Sequence, residues 1–159
     1  MPNVTIISVG KIKEKTIKDA VSEYEKRLSR FCTFKCVELA DLPIPLSASE
    51  AEENAVLQRE GENILSKIKQ SDFVTALCIE GVKLSSVKFA DKIASAFMRS
   101  SSLVFVIGGS LGLSPAVKER ADFRLSMSDM TFPHNLARLM LTEQIYRAFK
   151  INANETYHK

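Results

Sequence analysis

The residues with the types and spacing to do chemistry gather in the last third of the chain. Gly108-Gly109, with Gly112 close behind, come straight after the apolar run Leu103 to Ile107. Glycine at such positions lets backbone N–H and C=O groups approach a ligand with no side chain in the way. The run fits neither G-x-G-x-x-G nor G-x-x-x-x-G-K-[ST], so phosphate cradling is disfavoured. A neutral hydrogen-bonding partner, such as an adenine edge, suits bare backbone groups better; the same glycines would also serve a plain tight turn. A hydroxyl-rich turn follows at Ser126, Ser128 and Thr131, and then His134, Arg138, Glu143 and Arg147. Glu143 and Arg147 stand four apart, the spacing at which opposite charges pair on a helix. Two roles stay open for them, a structural ion pair and the positioning of a substrate. His134, directly after Pro133, fits either a structural hydrogen bond at a helix start or a place in a reactive site.

These residues need strand ends and helix starts to hold them. Leu103 to Ile107 and Phe123 to Met127 read as strands, each feeding a polar loop and then a helix, which is where an open α/β sheet puts its ligand. Ser114 with Pro115 gives an N-cap and a first-position proline, and Pro133 opens the last long helix. Upstream, Val4 to Val9 is a β-branched strand ending at Gly10, and Ile17, Val21, Tyr24, Leu28 and Phe31 trace a helix over 14–30. Lys35 to Leu39 alternates as a short strand, and Pro43 and Pro45 mark an exposed loop. Ser49 and Glu52 form a capping box for a helix to about Lys69, with Gly61 a weak point. Phe73 to Ile79 is a strand out of which Glu80-Gly81 turns. Ser85 or Ser86 then caps a helix with Phe89, Ile93, Ala94 and Phe97 on one face. The alternation predicts an α/β fold, a mostly parallel sheet covered by helices on both faces. Pattern alone predicts no threading of the chain.

On a helical wheel the last helix is apolar on two sides: Leu136, Leu139 and Met140 on one, Leu141, Ile145, Ala148 and Phe149 on the other. One side serves the sheet, and the other predicts a second subunit, so a homodimer.

At 159 residues and 45% hydrophobic, the chain supports one domain, 1–159, with a real core. It shows no signal peptide and no apolar run of membrane-span length, which predicts a cytoplasmic protein with no membrane partner. The cysteines Cys32, Cys36 and Cys78 are odd in number and lie in apolar segments, so buried free thiols are expected. With only two histidines in the chain, no metal set is expected. The net charge of +3 is mild for a nucleic-acid binder, but lysines and arginines crowd the first 35 residues. Lys11, Lys13, Lys15, Arg27 and Arg30 are the expected phosphate contacts. The acidic run Glu50, Glu52, Glu53, Glu60 and Glu62 reads as a solvated helix face.

The blocks GGSLGL, LSMSDMTFPH, LARLMLTEQIYRAF and the terminal YHK, with VGKIKEK and EYEKRL upstream, resemble the small bacterial SPOUT-class methyltransferases. The likeness spans essentially the whole chain and is densest over its last third. It is nearest to the family that methylates N3 of a pseudouridine in large-subunit (23S) ribosomal RNA. The resemblance implies a C-terminal trefoil knot and S-adenosyl-L-methionine as cofactor. It implies that Leu77, Gly108, Gly109 and the loop Leu125, Ser126, Met127, Ser128, Asp129 and Met130 hold that cofactor. It also implies a tail that reaches an active site at a dimer interface, with Tyr157 stacking on a base and His158 contacting base or phosphate. Arg147, Tyr157 and His158, with His134 and Glu143, are the candidate catalytic residues. The implied partner is ribosomal RNA in the assembled ribosome. Two rival readings are a methyltransferase of the same fold acting on another RNA, such as a transfer RNA, and a ribosome-associated module without catalysis. One departure stands out: relatives often carry an acidic residue after the leucine matched to Leu77, where this chain has Cys78 and then Ile79, with Glu80 next.

Overall fold

The computed structural model describes residues 1–157. Five strands alternate with five helices: β1 (Asn3–Val9), α1 (Lys15–Leu28), β2 (Thr33–Leu39), α2 (Glu50–Leu65), β3 (Phe73–Lys83), α3 (Ser86–Phe97), β4 (Ser102–Ile107), α4 (Pro115–Arg120), β5 (Phe123–Ser126) and α5 (His134–Asn152). The strands form one sheet in the order β2-β1-β4-β3-β5, and every adjacent pair is parallel. The expected α/β architecture is therefore present.

A parallel sheet must be covered on both faces, and side chains that alternate along each strand supply both. Val4 and Ile6 of β1, with Leu103, Phe105 and Ile107 of β4, pack against α1, α3 and α5. Ile7 and Val9, with Val104 and Val106, pack against α2 and α4 through Ile64 and Val117. Neighbouring strands β3 and β4 thus send their following helices to opposite faces. That divergence opens a crevice at their C-terminal ends.

Helix starts follow local chemistry. Ser49 and Glu52 make the expected reciprocal capping box. The Ser85 and Ser114 hydroxyls accept the backbone N–H groups of Lys88 and Val117. On α5, Leu141, Ile145 and Ala148 are buried against the sheet side, whereas Leu139 and Met140 are half-covered and Leu136 is exposed.

Several expectations are corrected. Glu80-Gly81 does not turn out of β3: the strand runs on to Lys83, and its pairing with β5 shifts register between Leu77 and Val82. Helix α2 stops at Leu65 rather than near Lys69. On α3 the buried positions are Phe89, Ala90, Ile93 and Ala96, with Phe97 half-covered, and Ala94 faces solvent. The three thiols are free, but only Cys32 is fully buried; Cys36 and Cys78 are half-buried.

Gly61 is not a weak point either. It is buried in α2, and a Cβ there would lie 2.3 Å from the Ser114 Oγ that caps α4. Close approach of two helices, not flexibility, requires the glycine. Gly61→Ala, normally stabilising in a helix, is therefore expected to destabilise the fold by about 1–2 kcal/mol, through overpacking and loss of the cap. Urea denaturation of the variant beside Gly61→Ser and wild type checks this: an increase in stability for the alanine variant would contradict it.

Candidate active site

The crevice between the diverging helices is a cavity of about 710 Å³, well within the size range of small-molecule sites. Three chain segments wall it: Leu77 to Glu80 of β3, Ile107 to Leu113 after β4, and Leu125 to Ser128 with Met130 to His134 after β5. Asp41, Lys118 and Ala137 complete the lining.

The glycine turn shapes one wall. Gly112 N–H donates to the Gly109 carbonyl at 3.0 Å, and Gly112 sits at φ +80°, in the left-handed region. A Cβ on Gly108 would lie 2.4 Å from the Gly112 carbonyl oxygen, so any side chain there must push the turn apart. On Gly109 a Cβ would be merely tight, 3.2 Å from Val9 Cγ1. Of the expected cofactor residues, Leu77, Gly108, Gly109, Leu125, Ser126, Met127, Ser128 and Met130 all line this one cavity.

Asp129 is not among the lining residues. Ser126 Oγ donates to the Ser128 carbonyl at 3.0 Å, and Ser128 Oγ accepts the Met130 N–H at 3.0 Å. This local hydroxyl turn leaves the exposed Asp129 carboxylate 2.5 Å from Lys83 Nζ.

At the far wall Glu80 pairs with Lys118. That hydrogen bond holds the Glu80 carboxyl below its ordinary range. Burial, and then the Glu80 charge, push the neighbouring Cys78 thiol up, so it stays protonated. A carboxylate absent after Leu77 is thus present two residues later, already matched by a cation. Lys118 was invisible to motif reading, since its relevance depends on where the short helix α4 lands.

His134 lines the cavity from the first residue of α5. Its ring lies against Gly10, at φ +103°, where a Cβ would come within 3.0 Å of Cε1 and Nε2.

Glu143, Arg147 and Tyr157 meet elsewhere. Arg147 Nε and Nη2 donate to Glu143 Oε1 at 3.0 and 2.6 Å, and the Tyr157 hydroxyl donates to the same oxygen at 3.1 Å. The guanidinium also lies over the Tyr157 ring, 4.8 Å from its centroid, while Tyr146 packs edge-on against that ring. Burial, with hydrogen bonding to Tyr24 and Glu143, pushes the Tyr157 phenol up and keeps its proton on. Arg147 follows His134 by 13 residues of one helix, about 20 Å at 1.5 Å per residue. A single chain therefore does not bring these two groups to one substrate. His158 lies outside the described residues.

Glu143 instead borders a second cavity, of about 550 Å³, with Tyr24, Leu84, Phe89, Met127, Leu139 and Met140. This groove is the half-covered side of α5.

Of the expected phosphate contacts, Lys11 and Lys13 are exposed in the β1–α1 connection and make no ion pair among the described residues. That connection is tied to the start of α5 by Asn135 Nδ2 donating to Glu14 at 3.0 Å. The other three cations already have acidic partners: Lys15 with Asp19 at 3.1 Å, Arg27 with Glu23 at 3.1 Å, and Arg30 with Glu155.

Glu60 overturns the solvated reading of the acidic run. It is 4% exposed, accepts the Leu42 N–H at 3.2 Å, and lies beside Gly109 and Asp41. Burial, reinforced by the Asp41 charge and only partly offset by the Leu42 bond, pushes its carboxyl up from 4.5. An acid whose proton binds more tightly in the folded state destabilises the fold when ionised. That cost is full above the raised folded value and vanishes below the unfolded one. Glu60→Gln, which keeps an acceptor for Leu42, is therefore expected to be more stable than wild type at neutral pH. Denaturation measured across pH should show the advantage closing as pH falls to 4.5; a constant difference would contradict it.

Comparison with known proteins bears on the family and the fold. A family model described as "Predicted SPOUT methyltransferase" matches residues 2–158. The chain is 52% identical over 158 residues to "Ribosomal RNA large subunit methyltransferase H 1" of Clostridium perfringens (strain SM101 / Type A), covering 99% of each chain. It is 52% identical over 157 residues to "Ribosomal RNA large subunit methyltransferase H" of Streptococcus thermophilus (strain CNRZ 1066), covering 98% of this chain and 99% of the other. Among solved structures, a probable methylase family protein from Haemophilus influenzae Rd KW20 superposes with a TM-score of 0.55 at 14% identity. That match covers 98% of this chain and 70% of the other, and it speaks for the fold. With a full-length family match and relatives above half identity, the chain belongs to the SPOUT methyltransferase family, enzymes that use S-adenosylmethionine.

Proposed function

We propose that the protein is a homodimeric methyltransferase acting on N3 of a pseudouridine in large-subunit ribosomal RNA within assembled ribosomes. The observation that carries the composite site is the separation of its parts along α5, the glycine-walled cavity at one end and the Arg147–Tyr157 cluster at the other. A second copy whose α5 packs into the apolar groove beside Glu143 would bring its cluster over the first copy's cavity. Exposed Met130 on the lining of the first cavity and exposed Leu136 on α5 add to that apolar surface.

The cavity fits the cofactor. Its walls offer unobstructed backbone at Gly108 and Gly109, apolar contact from Leu77, Ile107, Leu125 and Met127, and hydroxyls at Ser126 and Ser128. When bound, S-adenosylmethionine supplies a methyl group on a sulfonium that leaves as a neutral thioether. The chain's own task is to hold the base in line and to manage the N3 proton. Arg147 keeps its charge beside Glu143 and so can stabilise the anion that develops as that proton leaves. Tyr157, with its phenol protonated, offers an aromatic face for stacking. Lys11 and Lys13 supply phosphate contacts near the start of α5.

Ribosome specificity follows from the mild net charge of +3, which leaves recognition to the shape of a preassembled target. Transfer of labelled methyl to assembled ribosomes, isolated subunits and free ribosomal RNA in parallel tests the proposal. Ribosomes should be methylated far faster than free RNA, and equal rates would overturn the shape argument. No transfer to any of them would overturn the activity.

The composite site makes a second prediction. Gly108→Ala should lose cofactor binding and Arg147→Ala should lose turnover, each inactive as a homodimer. Mixed and allowed to exchange subunits, the two should regain about a quarter of wild-type activity, since half the dimers then hold one intact site. Mixtures that remain inactive after demonstrated exchange would place both groups in the same subunit's site.

A further inference from the structure

Three buried polar atoms have no hydrogen-bond partner among the described residues: Ser8 Oγ, His134 Nδ1 and Arg138 Nε. They lie on one seam. Ser8 shares the face of β1 that holds Val4 and Ile6, the face covered by α5. Helix α5 starts over the end of β1, with His134 against Gly10, and runs back along the strand. Four helical residues advance about 6 Å and two strand residues about 6.6 Å, so Arg138 sits over Ser8 as His134 sits over Gly10. The ion pair agrees: Arg138 Nη1 donates at 2.7 Å to Glu38, whose Cα partner across the β1–β2 ladder is Ser8.

Unpaired buried polar atoms are rare, and three gathered between one turn of α5 and the strand beneath it point to a shared partner. Ser8 is 0% and Arg138 8% exposed. We propose that this seam is a binding site for one water molecule, held by Ser8 Oγ, Arg138 Nε and His134 Nδ1, and that this water fixes the tautomer of His134.

The tautomer follows from counting hydrogens. Arg138 Nε–H can only donate. The Ser8 hydroxyl proton has no acceptor among the described residues, so it also goes to the water. Two donors fill both lone pairs of the water oxygen, leaving only its own hydrogens to offer. His134 Nδ1 must then accept, and the ring proton resides on Nε2. At the cavity wall His134 is thereby a hydrogen-bond donor and not a base. Ser8 and Arg138 are positioning residues that act through it. The water and the tautomer rest on the seam alone; that Nε2–H serves the cofactor or the base rests on the function proposed above.

The test uses the full-length protein labelled with ¹⁵N-histidine, with His158→Ala assigning the two rings. Long-range ¹H–¹⁵N spectra at a pH where His134 is neutral should show Nδ1 bare and Nε2 protonated. A high-resolution crystal structure should show an ordered water within hydrogen-bond distance of all three atoms. Arg138→Lys keeps the charge beside Glu38 but removes the Nε–H, and Ser8→Ala removes the other donor. Either change frees a lone pair on the water, so each variant should show a mixture of tautomers. A dry seam, a wild-type Nδ1–H tautomer, or variants that keep the wild-type tautomer would overturn the proposal. Should Arg138→Lys fail to fold, Ser8→Ala and the two wild-type measurements decide. A protein that shows the tautomer yet transfers no methyl would sink the functional reading and leave this site standing.

Discussion

The packing of α5 along the sheet is the constraint on which the other features depend. An all-parallel sheet exposes two apolar faces, and on one of them α1 and α3 leave a strip that only a third helix can close. Leu141, Ile145 and Ala148 close it, at 0 to 1% exposure. Burying three such side chains is worth several kcal/mol, on the order of 1.5–3 for each large one. That burial fixes the helix rotation, and the rotation assigns every polar residue on it a destination. His134 goes to the cavity wall, Arg138 to the β1–β2 ladder, and Glu143, paired with Arg147, to the open groove. No separate interaction is needed to aim them.

Arg138 shows how the same packing manages charge. It is nearly buried between Glu38 at 2.7 Å and Glu25 at 3.7 Å. Burial pushes the Glu25 carboxyl up despite the arginine, whereas the direct hydrogen bond from Arg138 holds Glu38 down against its own burial. A buried guanidinium is tolerable only with such partners, and removing one of them would strand the charge. The network ties α1, β2 and α5 together beside the segment that carries Lys11 and Lys13. A basic surface loop is thus anchored to the helix that enters the cavity.

What could be read from the sequence was what local rules govern. Strand alternation, the Ser49–Glu52 box, the Ser114 cap and the glycine turn each depend on residues a few positions apart, and each is present. What escaped depends on tertiary placement. Glu60 looks like one acid in a solvated run because helical spacing cannot reveal that α2 turns this position toward Leu42 and the glycine turn. Glu80-Gly81 has turn composition, yet β5 pairs beyond it and draws the strand out to Lys83. There Gly81 is needed because a Cβ would lie 2.7 Å from the Leu125 carbonyl carbon. Asp129 belongs to a loop whose neighbouring residues line the cavity, but two serine hydroxyls shape the local turn that leaves its carboxylate outside the lining. The basic run likewise overstated its free charge, since Lys15 and Arg27 meet acids one helical turn away.

The placement of the Glu143–Arg147–Tyr157 cluster also bears on the homodimer proposed above. An ion pair that is 16–24% exposed, at the edge of an apolar groove, is poorly arranged for an isolated subunit. It gives up part of its hydration without the compensation of a closed interior, while the apolar wall beside it stays wet. Covering the groove with a second α5 removes that apolar surface from water. It also lowers the dielectric around charges that are already paired, so their attraction strengthens rather than being screened. In the reaction proposed above, the same desolvation is what a developing N3 anion needs from a nearby guanidinium. In the proposed dimer, association and catalysis draw on one arrangement: the apolar contact that would join the subunits would also make the arginine effective.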